Sequence, residues 1–340
     1  MTLSQTATFA KRFILGFIIF SVVGITGYIG YKIWYANYLA SLPPKEDKPD
    51  TRFGILPKLK LPASKTLSEN FKYSLDTATG SLPEFSKIVK VYFMPKASAT
   101  FLSAEKGKNL AEKFNFDTAP QILTPTRHRF QIDNRILTVD LDTGNFVYQS
   151  DATPSGQKLD DDTQLVQNFK NFLSQAGIST KELENEKVKI NFLKYDGSNF
   201  IPASGRNESQ AVQINLWPKD LDKIPIVFSD VNKSLVHAEI IGSGKSLENF
   251  RSINFTFWPI DQSTFATYPL KLPNVAFEEM KAGKGNIIIT PNSPEVSITL
   301  VYLAYFEAED YTPYLQPIYV FEGPSFTAYV PALKNEYLSQ

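Results

Sequence analysis

Apolar positions along this chain fall into a run, a helical period and a strand period. The run comes first. Phe13–Tyr31 reads FILGFIIFSVVGITGYIGY and carries no charge, with Lys11 and Arg12 before it and Lys32 after it. Nineteen residues at helical rise span roughly 28 Å, about the hydrocarbon thickness of a bilayer. The run predicts a transmembrane anchor over residues 13–35 behind a short tail at 1–12. A cleaved signal peptide would have a shorter apolar core and a small residue where Tyr38 stands, three before Ser41. A lipoprotein would need a cysteine, and the chain has none. The basic pair ahead of the run, and the readiness of long C-terminal domains to translocate whatever their charge, predict a cytoplasmic N-terminus and an extracytoplasmic body. Tyr28, Tyr31, Trp34, Tyr35 and Tyr38 then form an interfacial aromatic belt. Gly24, Gly27 and Gly30 make a small-residue stripe through which two such helices would pair.

The helical period appears three times after the anchor. Ser103 caps a helix at Ala104–Phe114 with Leu110, Ala111 and Phe114 inward. Thr163–Ala176 places Leu165, Val166, Phe169, Phe172, Leu173 and Ala176 on one face, with Asp160–Asp162 at its start and Gly177 at its end. A third helix covers Val275–Lys281 and stops at Gly283 and Gly285.

Between the helices the period is two. Strands are expected at Phe71–Leu75 and Ile88–Met94, then as a meander at His128–Ile132, Arg135–Leu141 and Asn145–Gln149 joined by Asp133-Asn134 and Asp142-Thr143-Gly144. More follow at Val188–Tyr195, Ala211–Trp217, Ile224–Phe228, Leu235–Ile241, Ile253–Trp258, Ile287–Thr290, Val296–Phe306, Leu315–Phe321 and Phe326–Pro331. Val296–Phe306 is apolar on both faces and belongs in a sheet centre. The polar stretch Asp196–Ser209 reads as a loop.

The expected fold is α+β: one N-terminal transmembrane helix followed by tandem units, each a helix on an antiparallel meander. Residues 36–66, rich in proline, read as an extended stalk, within which FGILPKLKLP is apolar enough to pack on the body or on the membrane surface. Residues 67–155 form a first unit. Residues 156–334 form a larger second region, which a break near 262–272 would divide in two.

Charge narrows the functions. Lys plus Arg and Asp plus Glu each number 35, and once the tail's two basic residues are set aside the body carries −2. A near-neutral body lacks the basic face that nucleic acid requires. The absence of cysteine excludes disulfides, thiol catalysis and thiolate metal sites. His128 and His237 stand far apart in strand-like runs, as half-exposed strand residues and not as a metal cluster.

Candidate chemistry dissolves into turns and caps. Gly242-Ser243-Gly244-Lys245-Ser246 resembles the end of a phosphate loop, but Glu239 stands where the first glycine is needed. Asp142-Thr143-Gly144 has the form of an aspartic-protease triplet, yet only one copy exists and Asn145 follows it. Asp140, Asp142 and Asn145 offer oxygens for calcium without a loop ending in glutamate. No residue is assigned as catalytic, cofactor-binding or metal-ligating, and the expectation is a non-enzyme.

In the C-terminal third, helix Val275–Lys281 leads into Gly283-Lys284-Gly285. Strand Val296–Tyr305 follows, then Leu315–Gly323 and Phe326–Ala332. This order resembles the extracytoplasmic regulators of the YycI/YycH type and, more loosely, PepSY-like domains. The stretch Ala111 to Tyr148, with Leu137, Thr143-Gly144 and Tyr148, is similar to a PepSY-type strand–turn–strand. The resemblance implies an outer body that binds a protein partner, restraining a membrane sensor kinase or another envelope protein. The alternative expectation is a structural or assembly subunit of the envelope or of a secretion complex.

Overall fold

The apolar run lies in one continuous helix, α1 (Leu3–Ser41), in this computed structural model. The structure describes residues 3–41, 48–64, 71–154, 156, 158–178, 183 and 187–339. The expected start of the body at Leu67 and residues 42–47 of the stalk lie outside the described residues. Within α1, the 24 residues Leu15–Tyr38, whose 18-residue window reaches a mean hydropathy of 1.5, are long and apolar enough to cross a membrane. Spacing of four residues brings Tyr31 and Tyr35 into a stack at 5.9 Å and Trp34 and Tyr38 at 5.7 Å, so these rings share one side of the helix. A Cβ at Gly24, Gly27 or Gly30 would meet nothing within 4 Å, so the glycine stripe faces open space.

The body, Pro49–Gln340, is a separate unit. Its elements in order are β1 (Lys72–Leu75), β2 (Ile88–Phe93), α2 (Ser103–Lys113), β3 (Gln121–Thr124), β4 (Arg127–Ile132), β5 (Arg135–Asp140) and β6 (Phe146–Gln149). Next come α3 (Asp162–Gln175), β7 (Lys187–Tyr195), β8 (Phe200–Pro202), β9 (Ala211–Trp217), β10 (Ile226–Val227), β11 (Val236–Ile241), β12 (Phe250–Phe255) and β13 (Asp261–Pro269). The chain closes with α4 (Pro273–Glu279), β14 (Asn286–Ile289), β15 (Glu295–Ile298), β16 (Leu300–Phe306), β17 (Tyr314–Gly323) and β18 (Phe326–Pro331). The class is α+β, with sheet far in excess of helix.

Nine strands form one antiparallel sheet in the order β3-β4-β5-β6-β12-β11-β9-β7-β8. Two helix-plus-meander halves meet edge to edge where β6 pairs with β12, Phe146 opposite Phe255. The boundary expected at 155/156 therefore separates halves of a single sheet, because pairing β6 to β12 buries two edges that would otherwise be exposed. Helices α2 and α3 contribute to one core under this sheet, with Ala111, Phe114, Leu165 and Phe169 against Leu137, Tyr148, Ile240 and Phe250. Asp161 caps α3 by accepting from the Gln164 amide at 2.9 Å, and Gly177 ends it at φ 81°.

Residues 256–260 carry the chain to the second sheet. The break expected near 262–272 coincides instead with β13, nine residues that pair with β2. This sheet runs β10-β16-β17-β18-β14, with β2 joining β17 and β13 joining β2. Strand β2 thus belongs with the C-terminal elements and not with residues 67–155. The apolar stretch expected as one strand over Val296–Phe306 is two: β15 pairs in parallel with β1, and β16 lies inside the second sheet. The crossing over β17 needs Gly323, where an added Cβ would sit 1.9 Å from the Ser297 carbonyl oxygen.

Both faces of the second sheet are covered, which is what the unbroken apolarity of β16 requires. One face packs with α4. Against the other, Leu59 and Leu61 pack on Ala304, Phe306, Ile318 and Val320. The stalk expected over 36–66 is therefore corrected: its part 49–64 is a strap on the body. Leu56 is fully buried, its amide donates to the Tyr337 carbonyl at 2.8 Å, and its carbonyl accepts from Ser339 at 2.8 Å. Gln316 and Asn286 donate side-chain bonds to the Pro57 and Pro62 carbonyls, satisfying a backbone that prolines keep out of regular pairing. The stretch 196–209, expected as a loop, includes strand β8, and Arg206 reaches back to Asp162 and the Asp160 carbonyl.

Candidate functional site

The face of the nine-stranded sheet opposite α2 and α3 is polar. Register alone produces this. Across seven strands Arg129, Thr138, Val147, Asn254, His237, Asn215 and Lys189 stand in one row. Beside it run Gln131, Ile136, Gln149, Ser252, Glu239, Gln213 and Asn191. Each lies between residues of the core face, since side chains alternate along a strand.

Half of this face is already used. The loop after β10 lies over β7 and β9: Asn191 and Lys189 donate to Asn232 oxygens at 3.1 and 2.5 Å, and the Ser234 amide donates to Asn215 at 3.1 Å. The other half is open. There a cleft of about 690 Å³ has β5, β6, β12 and β11 as its floor, residues Phe228–Leu235 along one wall, and Asn134, Asp151 and Glu309 among its other lining residues. A second cleft of about 290 Å³ shares Val147, Thr256 and Glu309 with it and adds Trp258 and Tyr311.

On the floor, His237 is 8% exposed. Its Nδ1 stands 2.6 Å from the Ser234 carbonyl oxygen, which only accepts, so Nδ1 carries the proton and Nε2 the lone pair. Burial, then the nearby Lys233 charge, push its pKa down to about 4, so the ring is neutral. Glu239 pairs with Arg251 at 3.4 Å. Asn254 donates to the Leu235 carbonyl at 2.6 Å. The Gln149 amide and the Ser252 hydroxyl have no hydrogen-bond partner among the described residues.

The other histidine, His128, faces the helix-covered side opposite Val139, is also 8% exposed, and its Nδ1 has no partner. Neither histidine is half-exposed as expected: one lies on the core face of β4, the other is bonded to the Ser234 carbonyl of a loop the strand pattern does not reveal. Among the described residues no cluster of three or more metal-ligating side chains occurs.

The sequence motifs sit in connections. Asp142 lies in the β5–β6 turn, where its carboxylate accepts from the Ala99 amide at 2.7 Å. Asp140 accepts from the Asp142 and Thr143 amides, so the three oxygen ligands weighed for calcium are committed in part to the turn. Gly242–Ser246 connects β11 to β12 through a 3-10 turn, Leu247–Asn249, capped by Ser246.

Several large apolar side chains elsewhere on the body are exposed. Phe101 is fully exposed, Leu102 58% and Ile122 67% exposed, with Leu123 beside them. Two bonds tie the neighbouring connections to the β5–β6 turn: the Ala99 amide donates to the Asp142 carboxylate, and the Leu141 amide donates to the Thr126 carbonyl at 2.7 Å. All of β3, the edge strand here, is exposed.

No protein-family model matches the chain, and no curated protein matches it. Among solved structures it is similar to an uncharacterized protein from Eubacterium rectale ATCC 33656, with 11% identity and a TM-score of 0.34, over 76% of this chain and 85% of that one.

Proposed function

We propose that the chain is a single-pass membrane protein with a cytoplasmic N-terminus, whose extracytoplasmic body binds a protein partner and regulates a sensor kinase or another envelope protein. The observation that carries the binding is the exposure of Phe101 and Leu102 and of Ile122 and Leu123 on the open edge strand β3. Large apolar side chains held in water are costly unless something covers them. The α1 run supports the anchor, the basic pair before it supports the orientation, and the helix-then-meander order supports a likeness to YycI/YycH-type and PepSY-like regulators. The open β3 edge also favours a second reading, a subunit that co-assembles in the envelope, because an unpaired edge accepts a strand from a neighbour.

In-cell cross-linking of the tagged full chain, followed by mass spectrometry, tests both. A sensor kinase or similar receptor recovered with the native chain, and lost with Phe101→Ser plus Ile122→Ser, is the expected result. Abundant envelope components recovered in fixed ratio would replace the regulatory reading with the structural one. Recovery unchanged by the two substitutions would remove this surface from the argument.

A further inference from the structure

We infer that the face of the second sheet beneath residues 57–62 is a peptide-recognition groove with the strap as its built-in, imperfect occupant. The segment that displaces the strap is an extended stretch of a partner protein, apolar at two alternate positions and without proline at the place of Pro57. This surface is separate from the one that carries the protein-partner reading, so the two fail independently.

Register builds the floor. Strand pairing sets Gln316 beside Phe306, Ile318 beside Ala304 and Val320 beside Tyr302, and Tyr329 and Asn286 extend the last row. The floor is therefore apolar in the middle with a side-chain amide at each end. Residues 57–62 lie between those amides. Gln316 donates from Nε2 to the Pro57 carbonyl at 2.8 Å, and Asn286 donates from Nδ2 to the Pro62 carbonyl at 2.9 Å. Leu59 and Leu61 pack on the apolar middle, while Lys58 and Lys60 alternate with them and are exposed. Contacts to main-chain carbonyls, with apolar sockets between them, read an extended conformation and a spacing, and leave the outward side chains free to vary. Both leucines are half-buried where Leu56 is fully buried, so this stretch is held less firmly than the residue before it.

The fit has one defect. Gln316 is 1% exposed, and its Oε1 has no hydrogen-bond partner among the described residues. The orientation of the amide is fixed, because the Pro57 carbonyl only accepts and Nε2 must face it. The run of the strap names the missing donor. Leu56 turns both its N–H and its C=O to the C-terminal segment, bonding Tyr337 and Ser339 at 2.8 Å each, and the Lys58 amide points the same way, to Ser339 Oγ at 3.1 Å. In an extended chain the N–H and C=O of one residue share a side, and successive residues alternate. Residue 57 therefore faces Gln316. Its C=O is bonded there and its N–H would meet Oε1, but proline has no N–H. A buried acceptor left unmet is unfavourable. The same segment with another residue at that place makes a two-bond contact with Gln316 that the native strap does not. That contact offsets part of the advantage the strap has from being tethered.

The full chain in detergent micelles would be titrated with two fluorescent peptides of the sequence Leu56–Ser64, one native and one carrying Pro57→Ala, with anisotropy as the readout. The Pro57→Ala peptide is expected to bind about tenfold tighter than the native one, for one buried hydrogen bond gained. Pro57→Ala in the chain itself repairs the strap and should weaken binding of that peptide about tenfold. Gln316→Leu removes Oε1 and should make the two peptides bind alike. Pro57 is exposed, so the repaired chain folds and keeps the test decisive even if Gln316→Leu does not. Four results would overturn the inference: neither peptide binds, the two bind the native chain equally, the repaired strap competes no better than the native one, or Ile122→Ser abolishes binding and so places it on the other surface. Tighter binding of the native peptide would also overturn it, in favour of exchange of straps between two copies.

Discussion

Glu307 follows β16 at 4% exposure. Burial pushes its pKa up to about 8, opposed only by a main-chain hydrogen bond from Trp258. The native state therefore keeps a proton that the unfolded chain releases near 4.5, and stability falls as pH rises from 4.5 through about 8. Glu307→Gln removes that slope and stabilises the body above pH 8 by roughly 3–6 kcal/mol, measured as urea midpoints across pH. His237 works with the opposite sign. Its folded pKa of about 4 lies below the ordinary 6.5, so its contribution is present above 6.5 and is lost as pH falls toward 4. His237→Gln should flatten the acid limb of the same curve, and an unchanged acid limb would show that the ring is solvated.

At the scale of elements, the strap at 49–64 and the capped helix α3 make different demands. Leu56 has no exposure and lies in the main core of the second sheet. Leu56→Ala should cost about 2–5 kcal/mol, since the cavity left behind cannot collapse around two main-chain bonds that stay in place. A stalk residue would cost almost nothing, so the urea midpoint of this one variant discriminates the two descriptions. Asp161→Ala removes a single cap bond, and about 1 kcal/mol is the expected loss. The helices were legible because an apolar face is a local property, but Ser103, expected as the cap of α2, is its first residue, and no side chain caps that helix. Strand β16 was legible as buried for a similar reason. Its separation from β15 was not, because β15 pairs with β1 and β16 with β17, and those partners are set by the tertiary fold.

For the body as a whole, Trp258 is the side chain that ties the two sheets' connections together. It is 8% exposed, donates from Nε1 to the Ala308 carbonyl at 3.1 Å and meets Tyr311 edge to face. Trp258→Ala should cost about 3–5 kcal/mol and separate the unfolding of the two sheets, visible as a broadened or split thermal transition. The sequence by itself determined the apolar helix, the three amphipathic helices, the alternating strands and the α+β class. Each follows from periodicity and end signals within a few residues of one another. It also determined that Asp142-Thr143-Gly144 and Gly242–Ser246 are turns. Only the tertiary structure decided which strands distant in the chain are neighbours: that β6 meets β12 and that β2 joins β17, and likewise that residues 49–64 lie on the second sheet. The candidate cleft belongs to the same category. Gln149, His237, Glu239 and Ser252 are unremarkable polar residues at alternate strand positions, and they form a floor only because register sets them side by side. Pairing over a hundred residues of chain is a property of the whole packed core, which no local pattern encodes.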